Sequence, residues 1–140
     1  MSRIFTAVAL CLIIPMGDSA LADGSVSQTG LGGGGRFGPF DAIVSQYNAS
    51  GERFRIDSHC QSACTRFLAI RNVCITPSAD LAFHAGGHPQ IRQSATDHMM
   101  AAYKPQLRRY LQAGHYMEAK AFHTISGRDM IAKFGYRACK

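Results

Sequence analysis

The hydrophobic positions of this chain change rhythm several times, and each change predicts an element. Ile4 to Met16 is nearly unbroken apolar sequence with Pro15 at its end. Residues 23–36 are polar and glycine-rich, closing on Gly32-Gly33-Gly34-Gly35, a composition that predicts a flexible segment. Between Pro39 and Asn48 the apolar residues Phe40, Ile43, Val44 and Tyr47 recur at helical spacing. Pro39 suits a first helical turn, and Ser50-Gly51 stops the helix. Arg53 to Ser58 alternates, with Phe54 and Ile56 on one face, and predicts a strand. Ser62 to Ile70 carries Ala63, Phe67 and Ile70 and predicts a short helix. Val73-Cys74-Ile75 and Leu81-Ala82-Phe83 predict two strands separated by Pro77, the second leading into a loop from His84 to Pro89.

The C-terminal half is more helical. Ser94 to Gln112 predicts one long helix with Met99, Met100, Tyr103, Leu107, Tyr110 and Leu111 on its apolar face. Pro105 should kink it and Gly114 should end it. Tyr116 to Thr124 predicts a second helical segment. Ser126-Gly127-Arg128-Asp129 opens a final short helix over Met130 to Phe134. Helix, strand, helix, strand, strand, helix is an α/β order, and no internal repeat is visible in the sequence.

The N-terminal apolar run changes the picture, because its surroundings match an export signal. Arg3 supplies a positive start, the apolar run is too short to anchor in a bilayer, and Ala20-Leu21-Ala22 places small residues at the cleavage positions. A buried N-terminal helix is the plainer explanation, but the three parts fall in the required order. The expected organisation is therefore a signal peptide over 1–22, a glycine-rich segment over 23–36 and a single α/β domain over 37–140, in a periplasmic or secreted protein. Cleavage leaves 118 residues with no transmembrane span, and removing Arg3 and Asp18 keeps the net charge at +6.

Export also changes the cysteine arithmetic. Cys11 leaves with the signal, and Cys60, Cys64, Cys74 and Cys139 remain. An even count in an oxidising compartment predicts two disulfides. A zinc site with His59, His84 or His88 is the competing reading. It is disfavoured, because Cys60-x3-Cys64 is not a strong zinc spacing and oxidised cysteines do not ligate. The expected pairing is Cys64 with Cys74, a helix-to-neighbouring-strand bridge, which leaves Cys60 for Cys139.

Composition narrows the function classes. Hydrophobic residues make up 46% and charged residues 17%, a globular balance. The basic excess is scattered over Arg53, Arg55, Arg66 and Arg71, with Arg108-Arg109 the lone basic pair. It lacks the interleaved aromatics of a single-strand binder, so no nucleic-acid partner is expected. The four glycines lack the strand and acidic partner of a dinucleotide site, and no cofactor or metal is expected. Asn48-Ala49-Ser50 fits a glycosylation sequon, a short pattern that often occurs by chance.

Three features do carry chemistry when taken in order. A glycine run precedes a helix, Ser62 stands at a strand-to-helix junction, and His84 ends a strand. A serine there has free backbone N–H groups and the helix dipole beside it, a setting that stabilises an oxyanion. A nearby histidine takes the hydroxyl proton. Taken singly, Ser62 is an ordinary N-cap and His84 an ordinary loop histidine.

At these residues the chain resembles the ClpP/crotonase-like superfamily. Gly34-Gly35 through Phe37-Gly38-Pro39-Phe40-Asp41-Ala42-Ile43 is similar to its glycine loop and following helix. Phe54 to Ile56 and Cys60-Gln61-Ser62-Ala63-Cys64 through Ala69 are similar to its nucleophile strand and helix. Val73 to His84 is similar to the two strands that end in its catalytic histidine. The Cys-x-Ser-Ala-Cys form resembles exported ClpP-like bacterial proteins. The resemblance covers roughly residues 32–88, returns loosely at Gly127 to Tyr136, and lacks most of the opening strand-helix-strand unit.

The resemblance implies a trimmed, layered βα fold with a C-terminal helical segment. It implies Ser62 as nucleophile, His84 as general base, and the N–H groups of Gly35 and Ala63 as the oxyanion hole. Asp129 matches the triad acid loosely, and Asp97 is the alternative orienter. The implied activity is serine hydrolysis of a peptide or acyl bond, with a peptide or acyl substrate and, in assembly, further copies of the chain as partners. The alternative is an exported binding or assembly domain that keeps the fold without catalysis. A small disulfide-stabilised protein of another fold is the third reading.

Export itself gives the first testable outcome. Mass spectrometry of the exported protein should find Asp23 at its N-terminus, and an intact Met1 on the mature protein would contradict the reading.

Overall fold

The computed structural model describes residues 23–140; the expected signal peptide, with Cys11, lies outside the described residues. The described residues open with β1 (Gly24–Ser25) and a single helical turn, α1 (Val26–Thr29). The longest helix, α2 (Phe37–Ser50), follows the glycine loop and stops at Gly51. Next come β2 (Phe54–Ile56), β3 (His59–Gln61) and a 3-10 helix, Ser62–Ala69, called here the Ser62 helix. Then follow β4 (Val73–Ile75), β5 (Asp80–Phe83), a 3-10 turn at Pro89–Ile91, α3 (Arg92–Met100), α4 (Pro105–Ala113), β6 (His123–Ser126) and α5 (Gly127–Phe134).

The strands form two small sheets, so the protein is a mixed α/β structure. One sheet is parallel throughout, in the order β1-β2-β4. In the other, β3 and β5 are parallel and β6 is antiparallel on the outer side of β5. The path is a repeated strand-strand-helix unit: β2, β3 and the Ser62 helix, then β4, β5 and α3. The first strand of each unit joins one sheet and the second joins the other. This repeat belongs to the topology alone, which is why the sequence shows no sign of it.

Between the sheets and α2 lies an aromatic core. The Phe67 ring stands 4.6 Å from Phe54 and 5.4 Å from Phe40, so a single side chain of the Ser62 helix joins β2 to α2. Phe54, Ile56, Val73 and Ile75 are buried on the parallel sheet, and Leu107 and Leu111 bring the α4 face into the same core. Asp41 on α2 accepts hydrogen bonds from Arg66 (2.9 Å) and His98 (2.7 Å), tying α2, the Ser62 helix and α3 together. Partial burial works to raise the Asp41 carboxyl, but the hydrogen bonds from His98 and Arg66 outweigh it and hold it below the usual range. No helix among the described residues is long and apolar enough to cross a membrane.

Several elements differ from the sequence reading. Residues 23–36 are not a flexible linker: Gly24 pairs with Phe54, and Val26 is only 1% exposed. Asp57 holds the segment by accepting from the Ser27 N–H (2.9 Å) and hydroxyl (2.5 Å). A Gly-Ser strand has no side-chain alternation to announce it, and one valine is enough to anchor the turn. The long helix over Ser94–Gln112 is two helices, because Lys104 before Pro105 is held extended (ψ 150°) and Pro105 starts a new helix instead of kinking the old one. Tyr116–Thr124 is not helical; it is a turn leading into β6, an edge strand with Ile125 its one buried position.

The cysteines pair as Cys60–Cys64 and Cys74–Cys139, not as Cys64–Cys74 and Cys60–Cys139. Strand alternation explains the correction. Phe54, Ile56, Val73 and Ile75 share one face, which meets the Ser62 helix, while Cys74 pairs in register with Arg55 on the other. There the C-terminal segment runs beside β4: the Ile75 N–H donates to Arg137, the Cys139 N–H donates to Ile75, and Cys139 comes within a Cα separation of 4.9 Å of Cys74. Cys60 and Cys64 meet at 5.2 Å because the chain turns sharply at Ser62 between them. Two disulfides fit an exported protein.

The bridges span very different loops, with sequence separations of 4 and 65. On the chain-entropy account, loss of Cys74–Cys139 should cost about 4 kcal/mol and loss of Cys60–Cys64 about 2 kcal/mol. Urea unfolding of the paired Cys→Ser variants should show that order, and the reverse order would contradict it.

Candidate active site

Ser62 and His84 meet because of the register between β3 and β5. The two strands are parallel neighbours, with Gln61 opposite Ala82. Ser62 is the next residue after β3, and His84 lies two residues beyond Ala82. Both therefore emerge at the C-terminal ends of adjacent parallel strands. The Ser62 hydroxyl and His84 Nε2 are 2.7 Å apart.

Ser62 has a φ of +55°, in the left-handed region that costs a non-glycine residue about 1–3 kcal/mol. The surroundings hold it there. The Cys60–Cys64 disulfide closes across it, its carbonyl accepts from the Thr65 hydroxyl at 2.7 Å, and that hydroxyl meets buried Tyr103 at 2.5 Å. Burial drives the Tyr103 phenol well above its ordinary pKa, so it stays protonated. Ser62 is half-buried and lines a cleft, while its neighbours Ala63 and Cys64 are buried.

The glycine loop packs directly against this turn. The Gln61 N–H donates to Gly32 at 2.9 Å, and the Gln61 side chain donates to the Gly33 carbonyl at 2.9 Å. Gly34 (φ +79°) and Gly35 (φ +146°) have conformations that exclude other residues, and a Cβ on Gly34 would stand 2.9 Å from both the Gln61 carbonyl oxygen and Ser62 Cβ. Gly35 and Ser62 line the same cleft, of about 520 Å³, whose apolar wall includes Phe37, Ile91 and Met99. Ala63 is the second residue of the 3-10 helix, so its N–H has no partner within the helix. A smaller cavity of about 180 Å³, lined by Asp97 and His115, lies elsewhere.

His84 is partly buried, and burial lowers its pKa, so the ring is neutral at neutral pH. The main chain at Lys120 works in the opposite direction, favouring the charged ring. The Phe122 ring lies 4.4 Å from the imidazole, and the Ala85 N–H donates to Ala119 at 2.8 Å, fixing the same segment beside the histidine.

The structure does not bring either expected acid to His84. Asp129 sits in the first turn of α5, where its N–H is capped by Ser126 and its carboxylate pairs with Lys133 at 3.2 Å. In the antiparallel β5–β6 pair, Ser126 lies opposite Asp80, so α5 begins at the far end of β5 from His84. Asp97 is exposed and accepts from Gln93 at 2.8 Å. Among the described residues no carboxylate hydrogen-bonds the His84 ring, whose one side-chain partner is Ser62; the main chain at Lys120 favours its charged form, an influence that sequence reasoning missed and no side-chain pattern announces. Asn48, in the sequon, is committed to the fold: its amide donates to Ala69 and accepts from Arg71.

Comparison of the chain with protein-family models, with curated proteins and with solved structures finds no match.

The strain at Ser62 gives a test that needs no substrate. Ser62→Gly should be more stable than Ser62→Ala by about 1 kcal/mol in chemical denaturation, because only glycine relieves a positive φ. Equal stabilities would show that the turn is not strained.

Proposed function

We propose that the protein is an exported serine hydrolase that attacks peptide or acyl bonds through Ser62, on a trimmed ClpP/crotonase-like scaffold. The observation that carries the proposal is the 2.7 Å contact between the Ser62 hydroxyl and His84 Nε2, with Ser62 lining a cleft shared with Gly35 of the glycine loop. The alternating strand-strand-helix path and the placement of both residues at strand ends support the scaffold reading.

In this mechanism neutral His84 accepts the hydroxyl proton as Ser62 Oγ attacks the carbonyl carbon. The Gly35 and Ala63 N–H groups receive the oxyanion, aided by the start of the Ser62 helix. His84, now protonated, gives its proton to the leaving group. Water then enters, loses a proton to His84 and releases the acyl group from Ser62. The main chain at Lys120 favours the imidazolium, but no carboxylate hydrogen-bonds His84 among the described residues, so the unit is a dyad. That feature favours slow turnover, and it is the one that the non-catalytic binding reading draws on.

Fluorophosphonate labelling tests the proposal. Wild type should label at Ser62, and Ser62→Ala and His84→Ala should each abolish labelling and ester turnover while nearly preserving the melting temperature. The two losses should not add, since the pair acts as a unit. Labelling should rise with pH and reach half its plateau below the ordinary histidine value of about 6.5, because burial lowers the His84 pKa. Absence of labelling in folded wild type would remove the hydrolase reading in favour of the binding domain.

A further inference from the structure

Beside the glycine loop, three side chains form a continuous chain of hydrogen bonds. Asp80 on β5 stands opposite His59 on β3 in the parallel register. Its carboxylate lies 2.5 Å from His59 Nδ1. His59 Nε2 lies 2.9 Å from Gln61 Oε1, and Gln61 Nε2 donates to the Gly33 carbonyl at 2.9 Å. His59 and Gln61 share a face because they are two residues apart on a strand.

The protons in this chain follow from its ends. The Gly33 carbonyl only accepts, so the Gln61 NH2 must face it and the Gln61 oxygen must face His59. His59 Nε2 must then carry a hydrogen. An ionised Asp80 only accepts, so His59 Nδ1 must carry one too. The arrangement is complete only with His59 as an imidazolium.

We propose that protonated His59 is a positioning residue for the glycine loop: anchored on Asp80, it orients Gln61, which holds Gly33 and so sets the Gly35 N–H beside Ser62. The consequence for rate rests on the hydrolase reading; the proton-dependent hold on the loop does not. A neutral ring has one hydrogen for two acceptors. The tautomer that keeps Asp80 turns a lone pair toward the Gln61 oxygen, and turning Gln61 to relieve this drops the Gly33 carbonyl. The loop then keeps only its main-chain tie, from the Gln61 N–H to Gly32.

The groups that face His59 are few. Asp80 on β5 is charged, Gln61 on β3 is neutral, the loop offers backbone only, and the β6 residue paired with Asp80 is neutral Ser126. The hydrogen bonds to Gln61 and Asp80 raise the His59 pKa, against partial burial. A raised folded-state pKa means that the hold is complete below the ordinary histidine value and is lost as pH climbs through the higher folded one. His84 has the opposite sense, being active only once deprotonated. The two histidines together give a bell-shaped profile with an acid limb from His84 and an alkaline limb from His59.

Histidine-selective NMR of the purified protein, run beside fluorophosphonate labelling across pH, tests the inference. His59 should show both ring nitrogens protonated below a midpoint above 6.5, and the Gly33, Gly34 and Gly35 amide signals should move with that midpoint. Labelling should fall through the same midpoint by roughly threefold to tenfold, one hydrogen bond's worth. Asp80→Asn should shift both midpoints down together. Gln61→Leu should leave His59 titrating while the glycine amides and the alkaline limb no longer follow it. Glycine signals indifferent to His59, or labelling without an alkaline limb in a wild type that does label, would overturn the inference and leave the hydrolase reading standing. Glycine signals that follow His59 in a protein that never labels would support the positioning role and sink the hydrolase reading instead.

Discussion

The parallel pairing of β3 with β5 is the constraint from which the site follows. It fixes Gln61 opposite Ala82, and thereby sets the residues that leave the two strands side by side. A slip of one residue would turn His59, Gln61 and every alternate side chain to the opposite face. Cys60 and Leu81, both fully buried and opposite one another, oppose such a slip, because it would drive polar side chains into the core. The short strands are therefore held in register by what lies beneath them more than by their few ladder bonds.

Around that register the chain accepts local strain and encloses it. Ser62 takes a backbone conformation that the residue type disfavours, and a small disulfide loop, a buried threonine-tyrosine contact and two glycines at positive φ surround it. A flexible serine would lose the fixed direction toward His84 on every excursion of the turn. The apolar anchors Phe67 and Phe40 lie just behind, so the rigidity of the turn derives from the same packing that joins α2 to the sheet.

How much of this was legible in the sequence depends on whether side chains or backbone carried the signal. Phe54 and Ile56 alternate against a core and Phe40, Val44 and Tyr47 follow a helical stripe, so β2 and α2 could be read directly. Ser62 and His84 were legible as a pair, since their positions at strand ends put chemistry at predictable places. β3 and β6 were not, because each buries one apolar residue and is polar otherwise. The disulfide partners depend on which face of β4 Cys74 occupies and on a C-terminal segment that runs beside β4 by main-chain pairing, which no side-chain pattern announces. The glycine-rich start looked like a tether because backbone pairing, one buried valine and hydrogen bonds from distant residues such as Asp57 hold it, none of which leaves a periodic pattern. The expected acid failed for a related reason: Arg-Asp before a short helix describes an ordinary capped helix start as well as a catalytic one.

The main-chain bond beside His84, from the Ala85 N–H to the Ala119 carbonyl, has a consequence for how this protein tolerates change. A carbonyl is common to every residue type, so the chemical identity of residue 119 is free to vary while its place along the chain is not. A scan of single substitutions would pass over it in silence, whereas a one-residue insertion or deletion between Gly114 and His123 would shift the segment, and Phe122 with it, away from the imidazole. The histidine would then depend on a position whose importance is written in the length of a loop and nowhere in its letters.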